Sequence, residues 1–186
     1  MMNIDATDKT IIEQTKTWIS KVVIGCNFCP FAAKEFKRDN IHYRVHRSDD
    51  PGALLSVLAE EFDRLDKDSE IKTTLIIFPG IFPDFYEYLD IISLGENFLK
   101  QQKKEGIYQL ASFHPDYLFE GSSNDDPANY TNRSLYPIIQ ILRESSITEA
   151  LADFQAPEKI PQRNIEFARQ KGLLFMKTLR EKSFLF

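Results

Sequence analysis

Four residues of this chain have side chains that could share one piece of chemistry. Cys29 stands in GCNFCPFA, His114 and Asp116 in SFHPDY, and Arg133 in TNRS. A cysteine attacks as its thiolate, and an imidazole within hydrogen-bond reach can generate that thiolate. Cys29 is therefore expected as a nucleophile with His114 as its acid–base partner and Asp116 as a further catalytic residue, on condition that Cys29 and His114 converge in space. Arg133 stands directly before Ser134, the best cap for a following helix. A guanidinium beside the open amides of a helix start holds a carboxylate or phosphate. Tyr117, Asn132 and Arg143 complete the contacts expected for a small anionic molecule.

The same residues support other chemistries. His114 and Asp116 with Asp125 or Asp126 form a mixed imidazole and carboxylate set that suits one divalent ion, and an open position on it would activate water for hydrolysis. A non-catalytic protein that recognises a metabolite or a protein through the same loop is the third reading. Each residue also has a purely structural role open to it. Cys29 could fill an apolar corner beside Phe28 and Phe31. His114 and Asp116 could tie down a long loop through hydrogen bonds to its backbone. Cys26 and Cys29 form a CxxC pair, but it follows a helix, not the strand that a redox dithiol needs. Two Cys and three His, far apart, do not suggest a four-ligand zinc site. His42 and His46 read as ordinary strand residues.

These residues must be positioned by the elements around them. Ile11, Ile12, Trp18, Ile19, Val22 and Val23 recur at helical spacing, which predicts a first helix over about 9–24, capped by Asp8 and ended by Gly25. Pro30 biases Cys29 away from helix and puts it at a connection. IHYRVH at 41–46 predicts a strand, the DDPG turn at 49–52 a helix start, and Leu54, Leu55, Leu58, Phe62 and Leu65 the apolar stripe of that helix. TTLIIF at 73–78 is the strongest strand, apolar and β-branched as in the centre of a covered sheet. A helix opening near Pro83 and Asp84 runs toward Gly106, and IYQLASF gives a third strand. A polar loop spans 114–134, and LYPIIQILRE predicts a helix beginning near Ser134. Ser146 with Glu149 fits a capping box, and Ile160-Pro161 starts a further helix.

Strands alternating with helices predict an α/β fold with a small, mostly parallel sheet flanked by helices. Periodicity does not give strand order, so an antiparallel edge strand fits the pattern too. The 186 residues suffice for a single domain, 1–186, burying about 70% of the surface of its extended chain. A net charge of −5 offers no general field for a phosphate backbone, so nucleic acid is not an expected partner. No apolar run is long enough for a membrane span. MMNIDATDKTII lacks the basic-then-apolar order of a secretory signal, which places the expected location in the cytoplasm. Gly-rich phosphate loops, HExxH and GxSxG are absent.

Several motifs together resemble one family. Trp18 in the first helix, NFCPFA at 27–32, TTLIIFP from Thr73, QLASFHPDY at 109–117, TNRS at 131–134 and YPIIQILRE at 136–144 are similar to the pattern of the bacterial domain of unknown function family 1415. The resemblance covers nearly the whole chain and implies no established activity. In that pattern the position of Cys26 is usually apolar and that of Gln140 is commonly His. The resemblance thus takes weight from a CxxC role and gives it to Cys29, and it questions any metal site that needs a second histidine at 140.

Overall fold

The computed structural model describes residues 6–152 and 156–185. Helix α1 covers Asp8–Trp18. Its cap is Thr7 rather than Asp8, because the Thr7 hydroxyl accepts from the Thr10 amide at 3.2 Å. Asp8 falls in the first turn, where its charge suits the helix dipole and pairs with Arg47 at 2.9 Å. The predicted helix does reach Ile24, but over Ile19–Ile24 it widens into π turns. Gly25 follows, and only a glycine fits there, since a Cβ would lie 2.2 Å from the Lys21 carbonyl oxygen. The widened turn swings the chain round so that Cys29, extended before Pro30, caps α2 at Pro30–Lys37.

Four strands and two crossover helices follow. Strand β1 is Ile41–Val45, α3 Pro51–Lys67, β2 Thr73–Ile77, α4 Phe85–Gln101, β3 Tyr108–Phe113 and β4 Ile138–Arg143. Asp50 and Asp84 cap α3 and α4 by accepting amide hydrogen bonds at 2.7 and 2.8 Å. After β4 come α5 at Glu144–Leu151, α6 at Ile160–Lys171 and α7 at Leu173–Glu181. The Ser146–Glu149 capping box is not used, since α5 starts at Glu144 with Arg143 as its cap. The Ile160-Pro161 start holds.

The sheet order is β1-β2-β4-β3. It is α/β and helix-flanked as expected, yet mixed rather than mostly parallel: β1 and β2 pair parallel, while β4 pairs antiparallel with both β2 and β3. Strands β1, β2 and β3 do run in one direction. The sheet departs from the expectation at residues 135–144, where the sequence predicts a helix and the chain forms β4. Ile138, Ile139, Ile141 and Leu142 are all buried, so this run is apolar on both faces. A short apolar run has no period that separates a buried strand from a buried helix. What decides is that β3 leaves a gap beside β2, and only an extended segment satisfies the backbone groups on both sides of it.

Helices cover both faces. Trp18, Val22, Leu75, Ile77, Ile138, Ala168 and Met176 belong to the core on one side, under α1, α2, α6 and α7. Leu58, Phe62, Ile76, Tyr88, Ile139 and Ile141 belong to the core on the other, under α3 and α4. Alternate residues of each strand go to opposite cores. No helix among the described residues is long and apolar enough to cross a membrane.

Candidate functional site

In register across the centre of the sheet, Leu75 of β2 pairs with Gln140 of β4, which pairs with Ala111 of β3. Gln140 is the one polar residue between Ile138 and Leu142, and it is half-buried where its neighbours are fully buried. It opens onto a cavity of about 330 Å³, roofed by Trp18 and the turn from Phe28 to Ala32, with Phe113, Phe119 and the Ile160-Pro161 start of α6 around its sides. That volume lies at the lower end of the range of small-molecule pockets.

The polar groups in this wall are few. The Gln140 amide donates to the Thr73 hydroxyl at 3.0 Å, and that hydroxyl donates to the Ile141 carbonyl at 2.7 Å. The Asn164 carboxamide ties the α6 side of the wall to the Phe28 carbonyl at 2.7 Å. The indole N–H of Trp18 is buried and meets no acceptor among the described residues. An unpaired buried donor is uncommon and calls for an explanation.

Of the residues singled out in the sequence, Cys29 and Asn132 line this cavity. Burial pushes the Cys29 thiol up, against the smaller pull of the Ala32 and Phe31 amides at the start of α2. Asn132 follows the short 3-10 turn Pro127–Thr131, and its carboxamide is 3.4 Å from the Thr131 hydroxyl.

His114 is not brought to Cys29. Phe113 faces the cavity, so His114, one residue on, turns to the other side of the sheet. Its ring lies 5.0 Å from that of Tyr88 and 5.4 Å from that of Phe85. Nδ1 accepts from the Asp116 amide at 3.0 Å, which leaves the proton on Nε2 to be donated to the Phe82 carbonyl at 2.9 Å. Phe82 has a φ of 53°, an uncommon conformation for an aromatic residue, and His114 pins its carbonyl. Burial pulls the His114 pKa down, outweighing the Phe82 carbonyl and the charges of Asp116 and Asp84. The imidazole is neutral and engaged at both nitrogens, the loop-tying role open to it from the start.

Tyr117 turns toward the same side, with its ring 5.3 Å from that of Phe85. Asp116 is exposed and lies in a separate depression with Arg133. Arg133 donates from Nε to the Tyr117 carbonyl at 3.0 Å and lies over the Tyr130 ring at 5.0 Å. The helix start expected beside it does not exist, since Ser134 leads into β4 and its hydroxyl donates to the Tyr136 carbonyl. Arg143 is spent internally. It donates to the Ile71 carbonyl at 3.0 Å, to the Tyr108 hydroxyl at 3.2 Å, to the Asp68 carbonyl at 3.0 Å and to the Leu65 carbonyl, tying β4 to the end of α3.

The metal set is not assembled. Asp126 caps the turn at Ala128 and makes a bidentate pair with Arg169 at 3.1 and 2.7 Å, and His114 has no nitrogen to spare. Among the described residues no group of three or more His, Cys, Asp or Glu side chains could hold a metal ion. Trp18, Gln140 and Thr73 were not foreseen as site residues. Gln140 carried a usable signal, a lone amide in an apolar run. Trp18 carried none beyond its presence in the first helix.

The model of the family described as "Protein of unknown function (DUF1415)" matches residues 10–178. Neither a curated protein nor a solved structure matches the chain.

Proposed function

The chain belongs to this family of unknown function over nearly its whole length, and from that premise we propose that it binds a small organic molecule in the Trp18–Gln140 cavity, one with an apolar body and a carbonyl or carboxylate acceptor. The observation that carries this reading is the cavity itself, about 330 Å³ and walled mainly by apolar side chains with the Gln140 and Asn132 carboxamides among them. Phe28, Phe31 and Phe113 supply the apolar surface, and Gln140 and Asn132 supply orientation.

Binding is favoured over nucleophilic catalysis because Cys29 lies in the cavity without His114. A thiol held protonated by burial has no base here to activate it. Cys29 then acts as a polarisable wall atom beside the ligand.

Trp18 is the only tryptophan in the chain, so its emission reports occupancy of the cavity directly. The test is a titration with benzoate, decanoate and their amides, followed by tryptophan fluorescence and thermal denaturation. The expected result is a saturable change in emission with a rise in melting temperature, both weakened in Gln140→Leu and abolished in Ala32→Leu, which fills the cavity. If none of these acids and amides perturbs Trp18, or if Ala32→Leu folds and binds them as well as the native chain does, the reading fails.

A further inference from the structure

The segment from Tyr130 to Arg133 separates two hollows. Thr131 and Asn132 face the cavity described above, whereas Tyr130 and Arg133 face a depression of about 290 Å³. Asp116, Asn124 and Asp125 form one side of it, and Leu173 and Lys177, one turn apart on α7, form the other. Arg133 is 8% exposed. Its Nε is used by the Tyr117 carbonyl and its carbon lies over Tyr130, but neither Nη reaches a protein acceptor among the described residues.

Arg180 follows Lys177 by three residues and donates from Nε to the Ser134 carbonyl at 2.8 Å. Burial draws its pKa below the usual guanidinium value, and the positive charge of Arg133 acts in the same sense, against Tyr130 and the carboxylates of Asp116 and Glu181. Neither arginine forms an ion pair with a carboxylate among the described residues. The Asp126 carboxylate, which follows Asp125 directly, is taken instead by Arg169 at 2.7 Å. Buried guanidinium groups normally make ion pairs with carboxylates, and these two make none, although Asp116 and Asp125 in the lining balance the charges of Arg133 and Lys177.

We propose that this depression is a second ligand site, for a phosphate monoester that carries hydroxyl groups, with Arg133 and Lys177 contacting the phosphate and Arg180 supplying charge behind them. A phosphate brings nearly two negative charges and several acceptor oxygens, which match a guanidinium fork and an ammonium better than a single carboxylate does. Asp116 and Asp125 at the rim accept from hydroxyl groups and repel a second phosphate, which favours a monoester over a polyphosphate. The site does not depend on the Trp18 cavity. Its ligand is held by charge and reaches different side chains.

Glycerol 3-phosphate and inorganic phosphate are the probes, titrated calorimetrically against the full chain and followed in parallel by phosphorus NMR. Saturable binding is expected, tighter for glycerol 3-phosphate. Lys177→Glu, an exposed change, is expected to lower affinity roughly tenfold or more, and Arg133→Lys to lower it severalfold because the fork is lost while the charge stays. Arg169→Gln removes a surface guanidinium that is already paired and is expected to leave affinity unchanged. Binding of both probes weaker than about 10 mM would overturn the proposal. So would an affinity that Lys177→Glu leaves intact, or one that Arg169→Gln lowers as much. Tryptophan emission in the same titration separates this site from the cavity, since occupancy here leaves Trp18 unperturbed.

Discussion

Phe113 and His114 are chain neighbours whose rings leave the sheet on opposite faces. Phe113 stands edge-on to Trp18 at 5.4 Å in the cavity wall, and His114 packs on Tyr88 at 5.0 Å beneath α4. The alternation of a strand, continued one residue past the end of β3, divides the most chemically suggestive motif of the chain between two cores. A Cys29–His114 pair would need the His114 ring on the face that Phe113 occupies.

His114 is expected to stabilise the fold as a neutral clamp. Burial lowers its pKa first of all, and it lowers those of His42 and His46 likewise. A histidine whose folded pKa lies below its unfolded value binds protons more strongly when unfolded. Its stabilising effect is therefore complete above about pH 6.5 and is lost as pH falls below that toward the depressed folded value. His114→Asn should cost about 3 kcal/mol near pH 8 through two lost hydrogen bonds and poorer packing. It should also make the loss of melting temperature between pH 7 and about pH 5 shallower than in the native chain. An unchanged acid slope in the variant would show that His114 is not the buried neutral base described.

Arg143 is expected to govern stability and not ligand affinity. Arg143→Met leaves the carbonyls of Leu65, Asp68 and Ile71 without their donor and should cost about 3 kcal/mol. Arg143→Lys should recover only part of this, since one ammonium cannot reach all three carbonyls. Chemical denaturation measures the cost, and the fluorescence and phosphate titrations measure the rest. Native-like stability combined with weakened binding in Arg143→Met would restore a ligand-contacting role.

Cys29 is expected to alkylate slowly near neutral pH. Its thiol is raised by burial, so the thiolate fraction stays small until pH passes the usual thiol range. Iodoacetamide kinetics on a Cys26→Ser background should show a rate climbing steadily with pH and reaching no plateau below about pH 9. A rate that has already levelled off near pH 7 would mean an activated thiolate and reopen the nucleophilic role. Occupancy of the cavity by a carboxylate that perturbs Trp18 should slow the reaction further.

Much of the fold was legible because its signals are local. The strands at Ile41–Val45, Thr73–Ile77 and Tyr108–Phe113, and the helix start at Ile160-Pro161, follow from β-branched runs, turn residues and proline positions within a few residues of each element. The position of Cys29 at a connection followed from Pro30 alone. A shared direction for the first three strands followed from the helices between them.

The fourth strand and the site were decided elsewhere. Residues 138–143 carry apolar side chains toward both faces, a pattern a buried helix also shows, and the choice was made by β2 and β3, whose open edges they pair with. The floor of the cavity joins residues 67 positions apart, Gln140 donating to Thr73, under a roof from Trp18 and the Phe28–Ala32 turn. The sequence by itself determined which residues were chemically able and which segments would be extended or helical, because those properties are set by nearest neighbours. Tertiary structure alone decided which side chains share a cavity, since that depends on strand pairing between distant segments and on the face to which each alternating residue is sent.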